Sequence, residues 1–287
     1  MPEALAGPAS AAEDAGAAAA AFLAAAACHR RPAGAGAVTA ADAPGPLRFG
    51  IDLGTATVVL TAVDAAGGPV YWDSVPCAAM QDGVVVNFAE AVEAVRGLRR
   101  DAEQALGVAV TDAATAHPPG VPAADCRACR FVLEQAGIDC RALTDEVSAA
   151  QALLRVRDGA VADVGGGSTG VGVFADGRLV ALSDEPGGGR YLDLIVAGAF
   201  GIPTDEAERR KRAAPAAVAG IVRPGLERIG HLIARQIGGR DVAAVHLVGG
   251  AICLPEAGAI VAEIVGRPVR TYPHADLVTP FGIALVR

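Results

Sequence analysis

Lysine is almost missing from this 287-residue chain: Lys211 is its one copy, and every other basic side chain is arginine or histidine. A phosphate-binding P-loop needs a lysine directly after its glycine-rich turn, and Lys211 follows Arg210 instead, so that route to a nucleotide site is closed. Positive charge is scarce overall. With 24 Lys and Arg against 32 Asp and Glu, the net charge of -8 lacks the positive field that nucleic acids or anionic membranes require. Cysteine is sparse too: residues 28, 77, 126, 129, 140 and 253 fall far below the density of a secreted disulfide scaffold, so the sequence predicts a reducing, cytoplasmic setting. No apolar run reaches the roughly 20 residues that cross a bilayer. The N-terminus carries Glu3, Glu13 and Asp14 where a signal peptide would be basic.

What is abundant is hydrophobic surface, 52% of residues, enough for one large or two modest domains. Residues 1–46 are mostly Ala, Gly and Pro, too poor in bulky groups to offset their ordering entropy, and are expected to form a tail outside the fold. Within that tail, residues 14–30 form a short helix anchored by Phe22 and Leu23, either transient or docking on a partner, followed by a linker. From Leu47 strand-like runs take over: LRFGIDL, ATVVLTAVD, GPVYWDSV and GVVVNF. Residues 90–107 show helical spacing with Val92, Val95, Leu98 and Ala102 on one face. A strand at 111–117, a helix from Cys126 and a strand feeding a helix in RALTDEVSAAQALLRV complete the first half.

The second half repeats the first. GAVADVGGGSTGVGVFADGRLVAL matches LRFGIDLGTATVVLTAVDAAGGPV, setting Asp163 on Asp52 and Gly165 on Gly54. Each copy ends a strand in aspartate and turns through glycine, so that free backbone N–H groups lie beside a carboxylate. That pairing suits a phosphate and its magnesium ion. GGGSTG at 165–170 also fits the dinucleotide pattern G-x-G-x-x-G, but that pattern requires a helix next. Here β-branched alternation and an Asp-Gly turn predict a hairpin. Helix-rich sequence from Leu192 to Ile237, a strand into AAVHLVGGAICLP and the terminal DLVTPFGIALVR follow.

DLGT at 52–55, DVGGGST at 163–169 and LVGGA at 247–251 resemble the two phosphate motifs and the adenosine motif of the actin-like ATPase superfamily. TDEVSAAQAL at 144–153 and LVTPFGIAL resemble its two interdomain helices. Within that superfamily, the segments at 82–88, 117–120 and 206–212 are similar to the chaperone-like branch of ethanolamine-utilisation operons. The resemblance implies an α/β, two-lobed fold of duplicated ribonuclease H-like domains, lacking most of the lid subdomain. Lobe I would span 47–157 and lobe II 158–270, with a returning C-terminal helix at 271–287.

It further implies ATP and Mg2+ as ligands. Asp52 and Asp163 would hold the metal, mostly through water; Gly54, Thr55 and Thr57 would cradle the β-phosphate; and Gly165, Gly166, Gly167, Ser168 and Thr169 would meet the γ-phosphate. Glu146 would orient the attacking water, Gly249 and Gly250 would meet the adenosine, and Glu208 with Lys211 would hold ribose and adenine. Val147 stands where the chaperones have proline, and their catalytic lysine has no counterpart, with Arg96, Arg99 or Arg100 as substitutes. The implied function is a slow, chaperone-like ATP switch partnered with microcompartment shell or cargo proteins. A non-catalytic scaffold of the FtsA or pilus-assembly type and a reactivating factor for a cobalamin-dependent lyase are the alternatives; a sugar kinase lacks its aspartate base. CRAC at 126–129 is a lone Cys pair better suited to helix packing than to zinc, and His246 reads as a core residue.

Overall fold

The computed structural model describes residues 8–30, 45–81 and 84–287. Helix α1 (Pro8–Ala27) precedes an antiparallel meander of β1 (Arg48–Leu53), β2 (Thr57–Val63) and β3 (Pro69–Pro76). A short ladder of β4 (Met80–Gln81) and β5 (Val84–Val85) leads to α2 (Phe88–Leu106), β6 (Asp112–His117), α3 (Ala123–Gln135), β7 (Asp139–Asp145) and α4 (Glu146–Leu154). The second half runs β8 (Gly159–Val164), β9 (Ser168–Ala175), β10 (Arg178–Pro186), α5 (Gly189–Phe200), α6 (Thr204–Ala213) and α7 (Pro215–Ile237). It closes with β11 (Val245–Val248), α8 (Ala257–Val265), β12 (Val269–Arg270) and α9 (Val278–Leu285).

The two five-stranded sheets share one topology. Lobe I is ordered β3-β2-β1-β6-β7 and lobe II β10-β9-β8-β11-β12, each with an antiparallel meander followed by parallel strands. The likeness reaches single residues: Asp52 pairs with Val59, and Asp163 with Gly170, seven positions on in both cases. Between them Gly54 N donates to Thr57 O, and Gly165 N to Ser168 O, each at 3.0 Å. The glycine run after β8 turns into β9 rather than a helix, as the alternation of Val171, Val173 and the Asp176-Gly177 turn requires.

Helix α2 buries Val92, Val95, Leu98 and Ala102 against its sheet, the apolar stripe that its 3.6-residue period predicts. The GVVVNF run is different. Among its described residues Val84 and Val85 alone pair as strand, because the Asn87 side chain caps the Glu90 N–H and starts the helix at Phe88. Helix α8 and strand β12 were not marked by the sequence pattern; Ala257, Ile260 and Val261 give α8 too short an apolar face to stand out.

Each lobe has its own core, and a third cluster joins them. Helices α4 and α9 cross there so closely that a Cβ on Gly282 would lie 2.0 Å from Ala149 O. Helix α1 belongs to the same cluster. Leu23 and Ala26 are fully buried, Phe22 meets the Phe281 ring edge-on at 5.2 Å, and the Trp72 indole N–H donates to Ala26 O at 3.0 Å. The described part of the expected tail is thus seated on the body, because the interlobe helices present an apolar face that the sequence of 14–30 alone does not reveal. The expected linker largely lies outside the described residues.

Candidate functional site

Both aspartate-glycine turns open into one cleft of about 940 Å3 between the lobes. Asp52, Gly54, Thr55 and Thr57 line it from lobe I; Asp163, Gly165, Gly166, Gly167 and Ser168 line it from lobe II; Glu146 rises from the first turn of α4. The two loops touch: a Cβ on Gly166 would lie 3.0 Å from Thr55 Cβ. Gly249, Gly250, Glu208 and Lys211 complete the lobe II wall. Gly249 has φ +100°, and a side chain there would fall 2.4 Å from Val164 O and 2.6 Å from Asp163 Oδ1, so only glycine lets β11 end against the carboxylate.

The acids crowd one another. Burial pushes Asp52 up to about 7, with the Asp163 charge adding to the shift. Burial also raises Glu146 well above the ordinary glutamate value, reinforced by Asp163 and then Asp52. Asp163 is raised by burial, although the Thr279 hydroxyl donates to its Oδ2 at 2.5 Å. Three carboxyls that all resist ionisation mark a place short of positive charge, which a cation or cationic complex would relieve. Among the described residues no group of three His, Cys, Asp or Glu stands close enough to hold a metal directly. Asp52 and Asp163, one from each turn, are the carboxylates that could face a hydrated cation in the cleft.

Helix α4 is held for this role by its cap. The Asp145 carboxylate accepts from Ser148 N at 2.8 Å, fixing Glu146 as the first helical residue. Val147, in place of the chaperones' proline, is buried against β9, where a Cβ on Gly172 would come within 2.5 Å of its Cγ1. The glycines of β9 and this valine fit one another.

Several sequence-marked residues stand otherwise than expected. Thr169 does not line the cleft; its hydroxyl donates to Gly187 O at 2.6 Å, just past the end of β10. Lys211 is buried with its Nζ 2.6 Å from Asp193 Oδ1 and 3.2 Å from Gly189 O, whereas Glu208 binds Arg212 at 2.8 Å. Glu208 and Lys211 share a wall but not an ion pair. Arg96 and Arg99 do not reach the cleft: they donate to Gln135 O, Ala136 O and Gly137 O and fasten α2 to the end of α3. Arg100 does not line the cleft either. Cys126 and Cys129 are buried and not joined in a disulfide, and burial pushes Cys129 up to about 12. Asp193 and Thr279 were missed; Thr279 lay inside the second interdomain segment, but nothing in the local pattern tells which of its residues faces the aspartate.

No protein-family model matches the chain. The ethanolamine utilization protein EutJ of Salmonella typhimurium strain LT2 is 36% identical over 244 residues, covering 83% of this chain and 85% of that protein. The crystal structure of EutJ from Carboxydothermus hydrogenoformans superposes with a TM-score of 0.80 at 38% identity, covering 84% of this chain and 90% of that one. MreB5 of Spiroplasma citri, solved with AMPPNP, shares the fold at a TM-score of 0.67 and 14% identity, covering 83% and 95% of the two chains. With duplicated sheets, paired aspartate-glycine turns and identity of this extent over most of its length, the chain belongs to the EutJ family and has the actin-like ATPase fold.

Proposed function

We propose that this protein is an ATP-binding, slowly hydrolysing, chaperone-like switch of ethanolamine utilisation that acts on microcompartment shell or cargo proteins. The observation that carries the reading is the meeting of two matched aspartate-glycine turns across one cleft. The EutJ relatives support the pathway, and the AMPPNP held by the MreB neighbour supports the nucleotide.

In this reading Asp52 and Asp163 hold Mg2+ through its water. The ion, when bound, neutralises phosphate charge as it develops. The turn of Gly54, Thr55 and Thr57 faces the β-phosphate and that of Gly165 to Ser168 the γ-phosphate; Gly54 N and Gly165 N close these turns on Thr57 O and Ser168 O, so the donors to the anion are the remaining turn N–H groups. Glu146 would orient the attacking water and accept its proton once a bound cation offsets the burial and the Asp163 and Asp52 charges that hold it protonated in the empty cleft. Gly249 and Gly250 form the floor for adenosine, with Glu208 toward the ribose. Lys211 braces this wall through Asp193 and the α5 N-terminus. Closure of the lobes over bound ATP, and relaxation after hydrolysis, is the signal passed to a client.

Calorimetry with Mg-ATP tests the site: heat of binding is expected for the natural protein and none for Asp163→Ala. Glu146→Gln should keep binding and lower phosphate release by about 100-fold or more. Absence of heat with the natural protein sinks the proposal, and binding without any phosphate release favours the nucleotide-shaped scaffold.

A further inference from the structure

The cleft gathers carboxylates, and a side-chain cation among them would add a charge-assisted hold on a polyphosphate; lobe I contains no lysine to give it, although the resemblance to the chaperones implies one there. Basic side chains line the cleft at Arg30, Arg190, Lys211 and Arg212. Three of them are engaged. Arg30 lies over the Trp72 ring at 5.2 Å, Lys211 is buried on Asp193, and Arg212 binds Glu208 through both Nε and Nη2. Arg190 is exposed, lines the cleft, and has no acidic partner among the described residues.

Its position is fixed by backbone rather than by side chain. Arg190 N donates to Gly166 O at 2.8 Å, and Gly189 N to Gly165 O at 2.9 Å, so the first turn of α5 is fastened to the second phosphate turn. The preceding Gly188 is packed so tightly that a Cβ would lie 2.4 Å from Gly165 O. The Arg190 backbone thus stands beside the glycine turn, and the residue lines the cleft with a planar fork suited to phosphate oxygens.

We infer that Arg190 is the polyphosphate-binding cation of this cleft, supplied from lobe II and replacing the lysine absent from lobe I. The inference rests on the nucleotide reading above and adds to it a discrimination: Arg190 recognises the phosphates beyond the α-position and contributes little to the nucleoside.

The test is calorimetric titration of the full chain and of Arg190→Ala and Arg190→Lys with Mg-ATP, Mg-ADP, AMP and adenosine, alongside thermal unfolding without ligand. Because Arg190 is exposed, both variants should melt as the natural protein does. Arg190→Ala should weaken Mg-ATP and Mg-ADP at least 10-fold while leaving AMP and adenosine within twofold, and Arg190→Lys should recover part of the loss. Equal ATP-to-AMP ratios in the natural protein and Arg190→Ala overturn the inference and leave the nucleotide reading standing. A natural protein that binds none of the four ligands overturns both.

Discussion

Two residues, the buried His246 and the half-buried Asp52, give this protein opposite responses to pH. His246 lies in β11 with its Nδ1 2.5 Å from the Tyr272 hydroxyl, and burial, aided by Arg270, lowers it to about 4. The unfolded chain takes up that proton near pH 6.5 and the folded chain only near 4, so this stability is whole above 6.5 and falls as pH drops through the interval. The loss amounts to roughly 3 kcal/mol at most. His246→Phe should flatten the acid limb of a stability curve measured by denaturant unfolding between pH 4 and 7. Asp52 acts in reverse. Its folded value near 7 exceeds its unfolded value, so its contribution is whole below about pH 4 and is lost as pH rises to 7. Asp52→Asn should therefore raise the melting temperature of the ligand-free protein at pH 8 while removing Mg-ATP binding. An unchanged melting temperature there would show that the carboxylates do not oppose folding. Both aspartates were legible in the sequence, since each ends an apolar run before glycine; the partner of His246 was not, because Tyr272 comes from a strand end beyond β12.

Among the elements, α1 departs furthest from what its composition suggests. An alanine-rich helix has little to bury, and its stability here comes from a few large contacts: Leu23 in the interlobe cluster, Phe22 on Phe281, and the Trp72 indole on the helix end. Leu23→Ala should cost about 2–5 kcal/mol of global stability if α1 unfolds together with the body. Hydrogen exchange over 15–27 resolves the matter, because exchange there far faster than in β1 and β8 would mean that α1 detaches on its own. The chain's one tryptophan lies under this helix, so its fluorescence should shift red when α1 is loosened. The α4–α9 crossing is tighter still. Gly282→Ala places a methyl 2.0 Å from Ala149 O and should lower stability by about 1–3 kcal/mol through overpacking.

At the scale of the whole molecule, the lobes meet through α4, α9 and α1 on one side and face each other across the cleft on the other. Small-angle scattering should show a smaller radius of gyration with Mg-ATP than without, and Asp163→Ala should abolish the change. Identical profiles with saturating nucleotide would refute closure as the signal. The sequence by itself determined the duplicated strand-turn-strand units, the aspartates and glycines at their crests, and the hairpin that excludes a dinucleotide site. These are local matters: a side-chain period of two, a turn residue with positive φ, a carboxylate at a strand end. Only the tertiary structure decided that the turns converge, that Lys211 serves Asp193, that Arg96 and Arg99 brace helices instead of phosphates, and that the alanine-rich helix α1 packs on the interlobe helices. The reason is physical. A long side chain has many partners within reach of its own stretch of chain, and burial by residues distant in sequence selects among them.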